Sequence, residues 1–270
     1  MSQHPARTNP SPLPLLTIGG ADSGGAAGIQ ADLRAWAQLG AYGMSALTVV
    51  TAQNSIAVTA AHFLPPSFLA AQLDAVLADY GAVGIKTGFI GQAALVETIA
   101  GRLRGVDAPL VVDPVLVNHR AAAMFPEAVT AAYRELLLPQ AAAVTPNRHE
   151  AALLTGLPVT NQAEATAAAQ ALHDMGARGV LIKGLTAAAG LVDLWYDGQA
   201  ITPIPHPVIP TANTHGSGDT LSAVLCAGLA AGLEPFTAVT EAIRFTQQAI
   251  RHGAGWQLGG GHGPVGWGQP

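Results

Sequence analysis

The sequence predicts an α/β protein with a mostly parallel sheet and helices on both faces. Short apolar runs, several of them β-branched, alternate with longer segments of helical periodicity along the chain. This alternation is typical of βαβ units. Half of the 270 residues are apolar and only 11% are charged, so the chain can bury one substantial core. We therefore expect a single domain over residues 13–270, preceded by a disordered tail over residues 1–12.

Eight runs predict strands. The run at 56–63 alternates apolar and polar residues before Pro65 and Pro66, as an edge strand does. The other seven are short and mainly apolar, which favours strands buried between two layers of helices. The predicted strands are 13–18, 46–50, 56–63, 83–87, 110–112, 141–144, 179–183 and 192–196.

Seven segments predict helices. Ile29, Leu33 and Trp36 recur at helical spacing, and the Pro65–Pro66 pair stands where a helix commonly begins. The predicted helices are 28–39, 67–80, 93–104, 127–138, 163–175, 220–231 and 235–251.

Composition disfavours several classes of partner. A net charge of −5 offers no basic surface for nucleic acid. No apolar run approaches the ~20 residues that a membrane span needs, and residues 1–14 lack the pattern of a secretion signal. The single cysteine, Cys226, lies in a predicted apolar helix, so we expect a buried and inert thiol. A chain without internal disulfides suits the cytoplasm.

Polar residues stand where the predicted strands end. Ligands of such sheets bind outside the carboxyl ends of the strands, so these residues mark the expected site even though each one alone is typical of a turn. They are Asp22, Gln53, Asn54, Lys86, Thr87, Asp113, Asn147, Glu150 and Lys183.

A glycine-rich turn, NTHGSGDT at 213–220, runs into an apolar helical stretch and predicts a phosphate site. The first turn of a helix has backbone N–H groups without intrahelical partners, and these groups bind anions. Gly216 and Gly218 let the backbone come close to a ligand. Asp219 beside a bound anion would be a general base; the alternative is that it only caps the helix.

Several segments in order resemble hydroxymethylpyrimidine and phosphomethylpyrimidine kinases, thiamine-pathway members of the ribokinase superfamily. The resemblance covers nearly all of residues 13–267 and implies a ribokinase-like three-layer α/β/α sandwich. It rests on TIGGADSGGAAGIQAD at 17–32, TAQNS at 51–55, IKTG at 85–88, VVDPV at 111–115, TPNRHEA at 145–151, LIKG at 181–184, NTHGSGDTLSA at 213–223 and GHGPV at 261–265.

The resemblance implies a set of site residues. The catalytic group is an anion hole at Gly216, Ser217 and Gly218 with Asp219 as general base, which suits a reaction driven by positioning and charge stabilisation. The substrate side is Gly20, Asp22 and Gln53, whose amide can both donate to and accept from an aminopyrimidine. ATP is bound by Lys183, Asp113, Asn147 and Thr214, and Mg²⁺ is held by Glu150 and Asp113, largely through water.

The implied activity is ATP-dependent phosphorylation of 4-amino-5-hydroxymethyl-2-methylpyrimidine, its monophosphate, or both, by a homodimer. Pyridoxal kinase is the alternative, since pyridoxal also carries a hydroxymethyl group on an aromatic nitrogen ring. Many members of the family have Cys where this chain has Asp219, and Phe89 stands where relatives often carry Met. His119 and Arg120 are candidates for a lid over the phosphates.

Two other classes compete with the kinase. A dinucleotide-dependent oxidoreductase is suggested by the glycines after the first strand, but GxGxxG is absent in the required register. A ligand-binding protein without turnover can share the fold. The presence of Asp219, Glu150 and Lys183 together favours the enzyme.

Overall fold

Nine strands form one sheet in the computed structural model, which describes residues 11–118, 121–187 and 190–268. Their order across the sheet is β3-β2-β1-β4-β5-β6-β7-β8-β9. Of the predicted tail, only residues 11 and 12 lie among the described residues. The strands are β1 (Pro14–Asp22), β2 (Tyr42–Gln53), β3 (Val58–Phe63), β4 (Gly84–Thr87), β5 (Leu110–Val112), β6 (Ala141–Val144), β7 (Val180–Ala187), β8 (Gly190–Tyr196) and β9 (Ile201–His206).

The six central strands, β2 to β7 in spatial order, are parallel, and the strands at both edges are antiparallel. Parallel neighbours need a crossover, which the helices supply. The carboxyl ends of the parallel strands consequently meet at one edge of the sheet, where the polar strand-end residues collect.

Eight α-helices of the described residues cover the sheet. They are α1 (Gly28–Gln38), α2 (Pro66–Asp79), α3 (Ala93–Leu103), α4 (Glu127–Ala132), α5 (Arg148–Thr155), α6 (Gln162–Asp174), α7 (Ser217–Ala230) and α8 (Pro235–Gly253). Helices α1, α7 and α8 pack together on one face, and α2 to α6 pack on the other. No helix of the described residues is long and apolar enough to cross a membrane.

Alternation along the strands divides the core between the two faces. Leu15 and Val111 belong to the cluster under α1, α7 and α8, whereas their neighbours Leu16 and Val112 belong to the cluster under α2 to α6. Successive side chains of a strand point to opposite faces, so apolar strands buried on both sides feed two cores. Cys226 is fully buried on α7, as predicted.

All eight predicted strands and all seven predicted helices are present, with differences at the ends and two additions. Strand β9 is an addition to the predicted strands. It contains Pro203 and Pro205 and lies at the sheet edge, where proline is tolerated. Helix α5 has only eight residues and was also not predicted. The helix predicted at 127–138 is α-helical only to Ala132 and continues as a π turn and a 3-10 turn.

Strands β8 and β9 are joined by a buried contact between His206 Nε2 and Asp193 Oδ2, 3.2 Å apart. The other carboxylate oxygen of Asp193 accepts the N–H of Gly184 on β7. Hydrogen bonding to Asp193 raises the pKa of His206 above 6.5, against the opposing effect of partial burial. The contact therefore links the antiparallel edge to the strand that carries Lys183.

We expect His206→Gln to reduce stability more at low pH than at high pH. A histidine whose folded pKa is raised stabilises the fold fully below its unfolded pKa, and loses this effect as the pH rises through the folded pKa. Thermal unfolding should show a Tm deficit about 2 °C larger near pH 6 than near pH 9. The exposed His62→Gln is the matched control, and a His206→Gln deficit that is independent of pH would contradict the prediction.

Candidate active site at the carboxyl edge of the sheet

The loop after β1 and the start of α7 touch through their backbones. Gly216 has a φ of +82°, and a Cβ built there would lie 1.9 Å from the carbonyl oxygen of Ala26. Gly28, with a φ of +59°, would place a Cβ 2.3 Å from the carbonyl oxygen of Gly20. Only glycine fits such a positive φ with so close an approach. Gly28 therefore folds the predicted substrate loop back on β1, and Gly216 brings this loop and the predicted anion hole together.

Helix α7 begins at Ser217, three residues before the predicted start, with Gly216 as its N-cap. The Ser217 N–H donates to the Thr214 carbonyl at 3.1 Å. Within the part of the chain that the structure describes, the N–H groups of Gly218 and Asp219 have no protein acceptor. A Cβ at Gly218 would lie 3.5 Å from Lys183 Nζ. The turn thus presents free N–H groups, beside a lysine, at the positive end of a helix.

Asp219 does not cap its helix, so the capping alternative is wrong. Its Oδ1 lies 3.3 Å from Nζ of Lys86, which also contacts Asp32 Oδ1 at 2.5 Å. Thr17 Oγ1 donates to the second oxygen of Asp32 at 2.6 Å. Lys86 and Asp32 are buried, whereas the side chain of Asp219 is 15% exposed. Of these three charged groups, Asp219 is the one that faces the site.

Burial and charge oppose each other in this group. Burial raises the pKa of the Asp32 carboxyl to about 7, although the Lys86 ammonium acts to lower it. Burial also acts to lower the pKa of Lys86, but the carboxylates of Asp32, Asp219 and Asp113 outweigh it and raise that pKa. Lys86 therefore keeps its proton at neutral pH and serves as a buried cation for both carboxylates.

Asp113 and Lys183 form a second pair, with Lys183 Nζ 3.1 Å from Asp113 Oδ1. Thr145 Oγ1 donates to the same oxygen, and Ser222 Oγ donates to Oδ2 at 3.0 Å. Burial acts to lower the pKa of Lys183, but Asp113 and Glu150 more than offset it, so the pKa is raised. The pair holds a fixed cation beside Gly218, as a phosphate site requires.

Asn147 and Glu150 form the N-terminal capping box of α5. Asn147 Oδ1 accepts the N–H groups of His149 and Glu150, and Glu150 Oε2 accepts the Asn147 N–H at 2.9 Å. Glu150 Oε1 accepts the N–H of Leu116 at 3.3 Å. Burial, together with the charge of Asp113, raises the pKa of Glu150 to about 7, against the lowering effect of Lys183. Both oxygens of this carboxylate are thus engaged by backbone.

On the substrate side, Gly20 lies between two side chains. A Cβ there would meet Val49 at 2.9 Å and Phe89 at 3.0 Å. Asp22 shapes the loop that follows, because Oδ1 accepts the Gly24 N–H and Oδ2 accepts those of Ala26 and Ala27. Both carboxylate oxygens accept backbone N–H groups, and Oδ2 also lies 3.9 Å from His215 Nε2, so Asp22 shapes the loop and faces His215.

Gln53 lies next to His215 of the glycine-rich turn. The Gln53 Nε2 atom is 3.1 Å from His215 Nε2, and Gln53 Oε1 accepts from Thr51 Oγ1 at 3.2 Å. Thr214 Oγ1 is 2.8 Å from Nε2 of His262, whose ring centroid lies 5.2 Å from that of His215. The C-terminal segment thus forms one rim of the site.

The structure brings the predicted residues to one edge in two groups. Gly216 to Asp219, Asp113, Lys183, Asn147 and Glu150 form the charged group. Asp22, Gln53 and Thr214 form the group around His215, and Gly20 lies on the strand that ends at Asp22. Lys86 belongs to the polar strand-end residues that mark the expected site, but the sequence indicated no specific role for it and did not single out Asp32. His119 and Arg120 lie outside the described residues. Among the described residues, no three His, Cys, Asp or Glu side chains form a metal cluster.

Comparison with known proteins gives the same assignment for fold and family. The chain matches the phosphomethylpyrimidine kinase family over residues 22–266. The hydroxymethylpyrimidine/phosphomethylpyrimidine kinase of Streptomyces coelicolor is 44% identical over 265 residues, covering 97% of this chain and 98% of that protein. An ADP complex of Bacillus subtilis pyridoxal kinase is similar with a TM-score of 0.87 and 34% identity, over 95% of this chain and 97% of that one.

The phosphomethylpyrimidine kinase of Clostridium difficile is similar with a TM-score of 0.79 and 30% identity, over 88% of this chain and 99% of that one. These likenesses and the layered sheet confirm the predicted ribokinase-like α/β/α fold. The family match covers most of the chain, and so does the similarity to the Streptomyces enzyme. The chain therefore belongs to the phosphomethylpyrimidine kinase family and is a kinase.

Proposed function

We propose that this protein transfers the γ-phosphoryl group of ATP to 4-amino-5-hydroxymethyl-2-methylpyrimidine and to its monophosphate, in thiamine biosynthesis. The observation that carries the proposal is the partly exposed Asp219 beside the unpaired N–H groups of the α7 turn. The names of the relatives and the nucleotide bound to the Bacillus structure support the choice of reaction. We place the enzyme in the cytoplasm.

In the proposed mechanism Asp219 accepts the proton of the hydroxymethyl group as the alcohol oxygen attacks the γ-phosphorus, and the bond from that phosphorus to the β,γ-bridging oxygen breaks to release ADP. The N–H groups of Gly218 and Asp219 donate to the equatorial phosphoryl oxygens, with Gly216 and Ser217 setting the turn. Lys183 contributes a positive charge on the nucleotide side. Preorganised donors of this kind account for most of the rate enhancement expected in phosphoryl transfer.

ATP and Mg²⁺ fit the charged group of residues. Asp113 and Glu150 supply hard oxygens of the type that Mg²⁺ prefers, and their oxygens already accept protein N–H or O–H groups. We propose that they hold the ion through its water ligands, with Asn147 on the nucleotide side. Thr214 would join them there from the group around His215. When bound, the ion neutralises charge on the phosphates.

Pyridoxal is the second candidate substrate. The similarity to Bacillus pyridoxal kinase favours it, because the two chains align over nearly their full lengths. The pyrimidine is favoured by the higher identity to a pyrimidine kinase and by Gln53, whose amide lies at the substrate side. A turnover assay with ATP and each of the two alcohols tests the proposal. Absence of turnover with both the pyrimidine and pyridoxal would overturn it.

We propose a homodimer as the working form of the enzyme. Apolar side chains are exposed along the edge that β3 forms, which suits an interface between copies. Val50, Ile56, Val58 and Phe68 are 44%, 73%, 56% and 56% exposed.

We expect Asp219→Asn to lower kcat by ~10² to 10⁴ while nucleotide binding and the fold are retained, because the variant loses its general base. Steady-state kinetics and ATP titration measure the two effects. The matched control is Asp74→Asn, which changes an exposed carboxylate of α2 that pairs with Arg102 of α3. Turnover near that of the wild type would remove Asp219 from the mechanism.

We expect Glu150→Gln to raise the Mg²⁺ concentration for half-maximal activity by about 10-fold, the effect of losing an outer-sphere carboxylate. Glu164→Gln is the matched control, since Glu164 is also at the start of a helix capped by Asn, but is only partly buried and lies on α6. A Mg²⁺ titration that shifts equally in both variants would show that loss of a helix cap, not of a metal group, is the cause.

We expect the wild type to use the pyrimidine with a higher kcat/KM than pyridoxal. Gln53→Leu should reduce kcat/KM for the pyrimidine much more than it reduces kcat/KM for pyridoxal. A site that hydrogen-bonds an aminopyrimidine leaves buried polar groups unpaired when the ring cannot match them. Each substrate is the control for the other. A higher kcat/KM for pyridoxal in the wild type, or equal losses in the variant, would assign the chain to pyridoxal phosphorylation.

A further inference from the structure

Lys86 is the one charged side chain that β4 turns toward the apolar layer under α1, α7 and α8. Its neighbour Ile85 faces the opposite core, and Lys86 itself has no exposed surface. A buried ammonium is costly unless it is paired. Asp32 of α1 meets this need at 2.5 Å, and Thr17 completes the other oxygen of Asp32. The charge of Lys86 is thus compensated without any third residue, although an ammonium has three N–H donors and Asp32 accepts one of them.

Lys86 nevertheless makes a second contact, with Oδ1 of Asp219 at 3.3 Å. The other oxygen of Asp219 has no donor among the described residues, and this side chain is the partly exposed member of the group. Gly88 leaves space beside the contact, because a Cβ there would lie 3.7 Å from Lys86 Nζ and 4.0 Å from Asp219 Oδ1. Lys86 therefore fixes Oδ1 of Asp219, and the other carboxylate oxygen is free to face a ligand.

We infer that Lys86 is a positioning residue of the reaction, which holds Asp219 Oδ1 so that the second carboxylate oxygen is presented to the substrate alcohol. Asp32 anchors Lys86 in turn, through α1. This inference rests on the proposed function, since it assigns to Lys86 the orientation of the proposed base. Without this contact the Asp219 carboxylate could rotate, and its second oxygen would often point away from the alcohol. Misplacement of a reacting group lowers the rate of the reaction.

The charged and titratable groups that face Lys86 are known from the structure. Asp32 lies on α1, Asp219 and the Cys226 thiol on α7, and Asp113 follows β5. Lys86 is the cation that contacts Asp219 directly, whereas the nearby Lys183 is paired with Asp113, so removal of Lys86 takes away the ammonium beside Asp219. A carboxylate that loses a neighbouring ammonium takes up a proton more readily. The pH dependence of kcat therefore reports on Lys86 in a way that overall stability does not.

The experiment removes the ion pair without leaving an unpaired charge. Lys86→Met/Asp32→Asn should fold, and its kcat should fall by ~10²-fold while KM for ATP and for the alcohol changes less than about threefold. The acid limb of its pH–kcat profile should move to higher pH. Arg102→Met/Asp74→Asn, which removes an exposed ion pair between α2 and α3, is the matched control and should keep the activity of the wild type.

Lys86→Gln is the second variant in case the first does not fold, because it keeps an N–H donor for Asp32. It should show the same shift of the acid limb with a smaller loss of kcat. The inference alone is overturned if the wild type is active and either folded variant has the kcat of the wild type and an unshifted acid limb. That result would show that the ion pair only supports the fold. A wild type without kinase turnover overturns the proposed function and this inference with it.

Discussion

The contact between Gly216 and the carbonyl of Ala26 is the constraint on which the site depends. A helix can begin this close to another backbone only at a residue without a side chain and with positive φ. Because α7 starts there, its first turn carries Asp219 toward Lys86 and brings Gly218 toward Lys183. The close approach of Gly216 to Ala26 therefore aligns both the anion-binding turn and the charged pairs. The two glycine-rich loops that meet there are more than 180 positions apart in the sequence.

The sequence was sufficient for the layers and the position of the site because both depend on local patterns. Apolar runs and helical spacing predict the strands and helices, and the strand-end rule then locates the polar residues. Strand β9 and helix α5 escape this reasoning for physical reasons. Pairing of β9 with β8 outweighs its two prolines, and α5 depends on the capping box of Asn147 and Glu150 together with its packing.

Within the site, the sequence pointed to residues but not to their contacts. Asp22 and Gln53 stand at strand ends as expected, yet Asp22 is bonded to the backbone of its own loop. The pairing of Asp32 with Lys86 joins a helix to a strand 54 positions away, and no local spacing predicts it. From the sequence alone, Asp219 is equally consistent with a helix cap and a general base. The contact that separates the two roles is with Lys86, which lies on β4.

The C-terminal segment has a consequence for how the protein is synthesised. The N–H of Gly261 reaches the hydroxyl of Ser55, 206 positions earlier, and His215 exchanges backbone hydrogen bonds with Gly263 and Val265. Contacts of such separation form only once the intervening chain has been made and has collapsed. A nascent chain that ends before this segment has every strand of the sheet but an unfinished rim beside His215. The rim beside His215 is thus complete only after residues 261–265 have been synthesised.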